Sequence, residues 1–561
     1  MAAFERLIGL ETEYAFRFSP DSDGEPVDRP GNDLLFRAFK RAIREIVPTR
    51  PGTGAPGRDQ FFTANGGAFY YEFLPHCTDG GLLEGATPEC RSPAQLLLFQ
   101  QAQETLLVRA REEAQAIVHR LGHPGTVGLL KNCRDAEGHV YGSQENYEAP
   151  VARGFVLALY RLGLALLLPA LLVQVLLSYV LFVVLLVVFI GWLLVSLVVP
   201  AWNRKLDWLA EATPRDLERR VGPFQLWLTV VVTWPITKPL GWLLRWTAFR
   251  TQRRALTAFL VSRTIVTGAG CVIEGGRFRL AQKASAVTSE CRSSVLPQNR
   301  PIFDFGNLMK QLCAPFNFQL RPVLKLFGRR QRLQLGHGDS NRAQVAEWLK
   351  VGTTSLLLDL AESGALDDAP RLLDPVAALH AVAEDLDFEE PLPVVGGGTT
   401  TALELQRYYL DKARQHLRSS ATVSIEARDL VAAWGEVLDA LESGNPSALV
   451  GRLDWVTKRL LLEEGDDEAV WTTLDLRYHE LDEGYFDRLA EALPAPRIVD
   501  RADVARAIQH PPHDTPAFAR GRLIRERALE VDLPVLVSWD SAVLGGRMRG
   551  KVIPFHRPTP G

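Results

Sequence analysis

The stretch LIGLETEYAF, residues 7–16, alternates with a period of two: Leu10, Thr12 and Tyr14 fall on one face, Glu11 and Glu13 on the other. It reads as a strand with one acidic side. A second candidate strand, GAFYYEFL at 67–74, sets Glu72 among aromatic residues. Between them, residues 19–60 are rich in Pro, Gly and Asp and read as a long loop with a short helix near 33–46. A helix is expected from Pro93 to Leu121, with Ser92 as N-cap, Pro93 at the first helical position and Gly122 as the stop. Residues 125–148 return to strand and turn character. Beyond Arg250 the chain is mostly helical, with a capping box at Thr401–Glu404 after the linker Gly396–Gly398. The class is therefore α+β.

Residues 157–200 interrupt this pattern. From Leu162 to Pro200 the phenol of Tyr179 is the sole ionisable group. A bilayer core of ~30 Å needs about 20 apolar residues in a helix, and this run is nearly twice that. A second apolar segment, 224–249, carries several tryptophans but also Pro235, Lys238, Pro239 and Arg245, which suits an interface or a second span. If the parts before and after share one fold, the insert crosses an even number of times. Either 157–200 is a helical hairpin, or it is one long span and 224–249 crosses back. Arg153, Arg161, Arg250, Arg253 and Arg254 flank its outer ends, so a membrane-anchored protein with a cytoplasmic core is expected. The expected organisation is a core in two parts, 1–150 and 251–489, a membrane insertion at 151–250, and a small domain at 490–561.

The 561 residues carry a net charge of −3, which gives no field to attract nucleic acid. Six cysteines without a CxxC pair argue against a disulfide framework or zinc site. No phosphate-loop or dinucleotide fingerprint is present. The chemistry-bearing residues are carboxylates on short strands: Glu11, Glu13, Glu72, Glu84, Glu89 and Glu145. Carboxylates meeting from neighbouring strands suit a hard cation such as Mg²⁺, with substrate phosphates completing its shell. Any one of them alone reads better as a solvated strand face. Trp434 and Trp455 read as core, His510 and His513 as solvated turn residues, and Cys90 as packing.

At these residues the chain resembles the Pup ligase and depupylase (deamidase of Pup) family. The matching segments include GLETEY at 9–14, NGGAFYYE at 65–72, ATPEC at 86–90, KNCRDAEGHVYGSQENY at 131–147, GDSN at 338–341, LDWVTKRLL at 453–461 and HPPHDTPAFARG at 510–521. They cover nearly everything except about 150–250. The resemblance implies a glutamine-synthetase-like fold, an antiparallel sheet cradle packed with helices. It implies ATP (or ADP plus phosphate) and Mg²⁺ as cofactors, and a small disordered Pup-like modifier and its conjugates as partners. Carried over by motif, Glu11, Tyr70 and Glu84 match metal positions, Thr87 and Trp539 match nucleotide positions, and Glu72 falls where the family has a catalytic aspartate. Glu13, Glu89, Gln144 and Gln334 are further candidates.

The tail from Asp514 and Ser538–Trp539–Asp540 look closer to the depupylase branch, so hydrolysis of an amide or isopeptide bond at the modifier's terminal Glu or Gln is the expected activity. A ligase forming that bond, or a degenerate binding adaptor, is the alternative. The chain departs from the family in Ala68, where an arginine is expected, and in Gln144 and Gln334, which replace histidines; His337, Arg329 or Arg330 are candidate replacements.

Overall fold

The alternation of residues 7–16 is realised in strand β1 (Ile8–Pro20): Ile8, Leu10, Thr12, Tyr14 and Phe16 are buried, while Gly9, Glu11, Glu13 and Ala15 are half-buried. This is a computed structural model; it describes residues 4–21, 28–54, 59–73, 80–198, 234–292, 300–305, 308, 320–420, 422–463, 468–492, 496–528, 534–545 and 550–555. Its contacts divide the chain into two units. The first comprises Met1–Ala149, Thr251–Glu290 and Gln334–Gly561, and the second Pro150–Arg250 with Cys291–Leu333.

In the first unit, helix α1 (Asn32–Ile46) is followed by strands β2 (Thr49–Pro51), β3 (Gln60–Thr63), β4 (Ala68–Glu72) and β5 (Leu82–Ala86), helix α2 (Pro93–Arg120), and strands β6 (Gly125–Leu130) and β7 (Gln144–Pro150). The sheet runs β7-β1-β5-β4-β3-β2, with β6 pairing the outer half of β1. β1 is antiparallel to both of its inner neighbours, β5 and β7.

Helix α2 starts as expected. Ser92 accepts the Gln95 amide at 3.2 Å, Pro93 occupies the first turn, and Gly122 takes φ +92°, where a Cβ would be strained. The Tyr14 hydroxyl, on the buried face of β1, accepts hydrogen bonds from Gln100 and Gln103 of α2 at 3.0 Å each. The helix thus lies against the even-numbered side chains, and the odd-numbered ones are left to the opposite face.

Downstream, Asp339 of the GDSN segment accepts the backbone amides of Ala269, Gln282 and Lys283 at 2.9–3.0 Å. Asn341 donates to the Thr267 carbonyl and to Asp454, each at 3.0 Å. The motif therefore pins two loops to a helix. The expected capping box at Thr401–Glu404 is formed. Trp434 and Trp455 are core residues, with indole nitrogens donating to Gln406 at 3.1 Å and to the Ile265 carbonyl at 2.9 Å. Gly270 (φ +66°) sits against Trp455, and an added Cβ would lie 3.1 Å from its Cα.

The C-terminal strands Val535–Val537, Ser541–Leu544 and Lys551–Pro554 form a separate antiparallel sheet. It does not carry a core of its own. Val535, Val537, Ala542 and Phe555 are buried in one cluster with Phe62, Ala64, Ala68, Tyr70 and Ala86. Three short strands need such a partner, so the segment expected as a small terminal domain lies within the first unit.

The second unit holds helix α3 (Gly154–Val198), 45 residues without a break despite Pro169. The hairpin reading of 157–200 is therefore corrected: among the described residues no turn interrupts the helix, whose 45 residues extend roughly 68 Å at 1.5 Å per residue. Residues 224–233 of the second apolar segment lie outside the described residues. Residues 234–247 form helix α4. It runs antiparallel to the start of α3: the Phe249 amide donates to the Val151 carbonyl at 2.6 Å, Gly163 abuts Leu243, and Leu164 to Leu171 line a small gap with Ile236 and Leu240.

Replacing Trp455 with alanine removes a fully buried indole and its hydrogen bond, and is expected to cost about 3–5 kcal/mol in denaturant unfolding of the protein. A loss under 1 kcal/mol would show that the helical half is not organised around it.

Candidate active site

Register decides which side chains share the half-open face of the sheet. Glu13 of β1 stands opposite Glu84 of β5, and Glu84 stands opposite Tyr70 of β4. Glu11 stands opposite Gln144 of β7. Glu72 lies two residues beyond Tyr70 and so projects to the same side. Gln334, from the strand Arg330–Leu335, donates to Glu11 at 3.2 Å and also to the Gln144 side-chain oxygen. The sequence-predicted Glu11, Glu13, Tyr70, Glu72, Glu84, Gln144 and Gln334 are thus brought to one face.

Like charges directly opposite on neighbouring strands repel. Burial pushes the Glu13 carboxyl up to about 7; Glu72 and Glu11 add to the rise, while the Gly142 amide, donating at 2.9 Å, and Lys283 oppose it. Lys283, itself buried, donates to the Ser143 carbonyl at 2.7 Å.

Thr87 and Trp539 serve the frame of this face. The Thr87 hydroxyl accepts the Leu10 amide at 3.0 Å. The Trp539 indole donates to the Tyr70 hydroxyl at 2.9 Å and packs edge-on against Phe62. Arg520, completely buried, lies 4.6 Å over the Trp539 ring and 5.5 Å over Phe62, donates to the Gly66 carbonyl at 2.8 Å and pairs with Glu89. Glu89 is therefore an ion-pair partner and stands apart from the carboxylate row.

Glu145 is likewise committed elsewhere. Its bidentate pair with Arg263, at 2.6 and 2.9 Å, helps hold its carboxyl down to about 2 against burial. His337 lies against that pair, and burial and Arg263 hold it down to about 3, so it is neutral. It does not replace the missing histidines. Cys90 is fully buried, which pushes its thiol well up, and His510 and His513 are exposed.

Sequence reasoning missed Arg520 and Lys283. Each is a buried cation beside the site. Arg520 hydrogen-bonds Gly66, two residues before Ala68, and Ala68 is fully buried in the apolar cluster. The clue available was HPPHDTPAFARG itself, which contains Arg520.

Among the described residues, no three His, Cys, Asp or Glu side chains converge as a ready metal cage. The donors on this face are nonetheless all oxygen: four carboxylates, one phenol and two amides. That set fits Mg²⁺, which takes one or two carboxylates and leaves its other positions to water and phosphate.

A family model for Pup-ligase proteins matches residues 6–543. The Pup--protein ligase of Paenarthrobacter aurescens (strain TC1) is 26% identical over 563 residues, spanning 98% of this chain and 95% of the relative. The crystal structure of the complex between the prokaryotic ubiquitin-like protein Pup and its ligase PafA superposes with a TM-score of 0.66 at 20% identity, covering 99% of this chain and 90% of that one. The structure of the Pup ligase PafA in complex with ADP gives 0.61 at 19% identity, with 96% and 94% covered. The fold is shared, as expected. The expected depupylase activity is overturned by the family matched and by the name of the full-length relative. One part of its basis, Ser538–Trp539–Asp540, is accounted for by packing: Trp539 fills the Phe62–Arg520 cluster and Asp540 accepts the Ser538 and Ser541 hydroxyls in a turn.

The Glu13 carboxyl yields a test. Its folded value, about 7, lies above the ordinary 4.5. Below the ordinary value it is protonated in both states and costs nothing; as pH rises to about 7 the cost grows to its full size. Without divalent ions, Glu13→Gln should match the parent at pH 4 and exceed its stability at pH 8 by up to about 3 kcal/mol, less whatever solvent screens. A pH-independent difference in denaturant unfolding would refute the raised Glu13 carboxyl.

Proposed function

This chain belongs to the Pup-ligase protein family, and from that membership we propose that it is an ATP-dependent ligase joining the C-terminal glutamate of a small Pup-like modifier to a lysine amine. The observation that carries the reading is the register of Glu13, Glu84 and Tyr70 beside Glu11 and Glu72 on one half-open sheet face. In this reading the γ-phosphoryl group of ATP passes to the modifier's carboxylate, leaving ADP. The lysine nitrogen then attacks the acyl carbon and phosphate departs. Glu11, Glu84 and Tyr70 would hold Mg²⁺, which supplies positive charge against the phosphates.

Glu72, at the open end of β4, takes the proton that the attacking ammonium must lose. It is one methylene longer than the family's aspartate, and ~1 Å of displacement can cost about a hundredfold in rate. Trp539 and Thr87 border the nucleotide. Arg520 holds Trp539 in place from behind. A second reading, an adaptor that binds nucleotide without turnover, is favoured by Ala68, whose buried apolar setting offers the phosphates no charge partner.

The same proposal tethers the enzyme to a bilayer, with the core on the cytoplasmic side. In support, Gly154–Trp192 is 39 residues long with a hydropathy of 3.0 over its most apolar window, and only 17% of that window is buried in the protein. Leu166, Leu176 and Val187 are each more than 60% exposed, as on a helix that faces lipid.

Two experiments test this. The full chain in neutral detergent, with Mg·ATP, a modifier peptide ending in Glu and a lysine substrate, should form the isopeptide with release of ADP. Glu72→Ala should lower that rate by roughly 10²–10⁴ while nucleotide still binds. Undiminished turnover in the variant would remove Glu72 from the mechanism, and binding without turnover in the parent would select the adaptor.

Second, because Val151 and Phe249 are hydrogen-bonded, residues 152–248 can be replaced by a short Gly-Ser link. The product should be soluble without detergent and keep its ligation rate within about twofold, since Glu11, Glu13, Tyr70, Glu72, Glu84, Gln144 and Gln334 all lie outside 152–248 in sequence. A product that still needs detergent would refute the tether.

A further inference from the structure

Two rows of side chains share the half-open face of the sheet. Glu11, Ala86, Ala68 and Phe62 stand opposite one another across β1, β5, β4 and β3, and Glu13, Glu84, Tyr70 and Gln60 form the row beside them. Residues two apart on a strand project to the same side, so both rows lie on one face. The carboxylates therefore continue into an apolar surface made by Ala86, Ala68 and Phe62.

The C-terminal sheet is seated on that surface. Val535, Val537, Ala542 and Phe555 are buried in one cluster with Phe62, Ala68, Tyr70 and Ala86. Among the buried members of the cluster, Tyr70 alone carries a side-chain oxygen, and it stands opposite Glu84. That oxygen accepts the Trp539 indole N–H at 2.9 Å.

Trp539 lies two residues beyond the strand Val535–Val537 and is half-buried. It is steadied from the interior. Arg520, completely buried, donates to the Trp539 carbonyl at 2.6 Å and to the Gly66 carbonyl at 2.8 Å, with its guanidinium 4.6 Å over the indole. The Thr53 amide adds a backbone tie to the Val537 carbonyl at 2.9 Å. Three short strands without a core of their own take their order from what they dock against. A docked segment that ends in a hydrogen bond to Tyr70 responds to whatever engages Tyr70.

We propose that the Trp539–Tyr70 hydrogen bond joins docking of the C-terminal sheet and filling of the carboxylate face by Mg²⁺ and nucleotide into one equilibrium, each strengthening the other. The inference rests on the reading of this face as the Mg·nucleotide site, and it adds a regulation of that site by a remote segment. The indole N–H takes one acceptor position of the phenol oxygen and fixes where that oxygen stands, so a cation held by Tyr70 and Glu84 meets a ligand already in place. By linkage, a ligand that uses the oxygen tightens the segment that positions it, by the same factor. One net hydrogen bond corresponds to a factor of roughly five in such an equilibrium.

The test follows hydrogen exchange of the amides in 535–544 on the full chain in neutral detergent, alone, with saturating ADP, and with saturating Mg·ADP. Calorimetry of ADP with and without Mg²⁺ reads binding in parallel. Exchange should slow roughly fivefold with Mg·ADP and less than about twofold with ADP alone. Trp539→Phe keeps an aromatic ring beside the nucleotide and removes the N–H. It should abolish the Mg-dependent slowing and weaken Mg·ADP binding roughly fivefold. In a Tyr70→Phe background the same substitution should weaken binding less than about twofold further, because the oxygen it served is gone.

Mg·ADP that binds without slowing exchange overturns the coupling and leaves the nucleotide face standing. So does slowing that is equal with ADP alone or is retained in Trp539→Phe, and so do losses in the two single variants that simply multiply in the double variant. The parent's exchange decides the matter by itself should a variant fail to fold. A parent that binds no Mg·ADP, with the same exchange in every state, places the fault in the reading of the face, and the coupling falls with it.

Discussion

Two carboxylates, Glu13 and Glu84, face one another across adjacent antiparallel strands, with Glu11 and Glu72 on the same side. No stability argument favours that arrangement: opposed like charges destabilise a sheet, and burial lifts Glu13 towards neutrality. The arrangement becomes sensible when a cation and its anionic substrate occupy the face. Much of the surrounding structure can be read as what holds these groups in place against their repulsion. Tyr14 and the glutamines of α2 fix the buried side of β1, Thr87 ties β5 to β1, and Gln334 links Glu11 to Gln144.

The flanks of the site are built from buried ion pairs, and these are structural. Arg263 with Glu145, and Arg520 with Glu89, each satisfy charges that would otherwise be uncompensated in the interior. Arg520 also carries the C-terminal segment into the site, because its guanidinium is stacked on Trp539, whose indole meets Tyr70. A segment remote in sequence thereby positions an aromatic wall at the edge of the carboxylate row.

Much of this was legible in the sequence for definite reasons. Period-two alternation assigned the faces of β1, and Ser92, Pro93 and Gly122 marked the ends of α2, because those signals are local. The pairing of Glu13 with Glu84, and of Glu11 with Gln144, was not legible, since register is a relation between distant strands. Arg520 and Lys283 escaped for the same reason: a buried cation is recognised by its partners, which lie up to 454 residues away for Arg520.

The unbroken course of α3 was likewise hidden, because hydropathy alone cannot separate one long helix from two without turn residues between them. The expectation of depupylase activity leans in part on Ser538–Trp539–Asp540, whose side chains pack and turn, which a short motif does not disclose.

The account stands or falls on whether the carboxylate face binds a nucleotide through a divalent ion. Isothermal titration of ATP into the full chain, with Mg²⁺ and then with a chelator, measures this directly, for the parent and for Glu84→Gln. The account predicts binding that requires Mg²⁺ and is weakened at least about tenfold in the variant, the loss of one charged oxygen ligand. Equal affinity with the chelator present, and in Glu84→Gln, would contradict it.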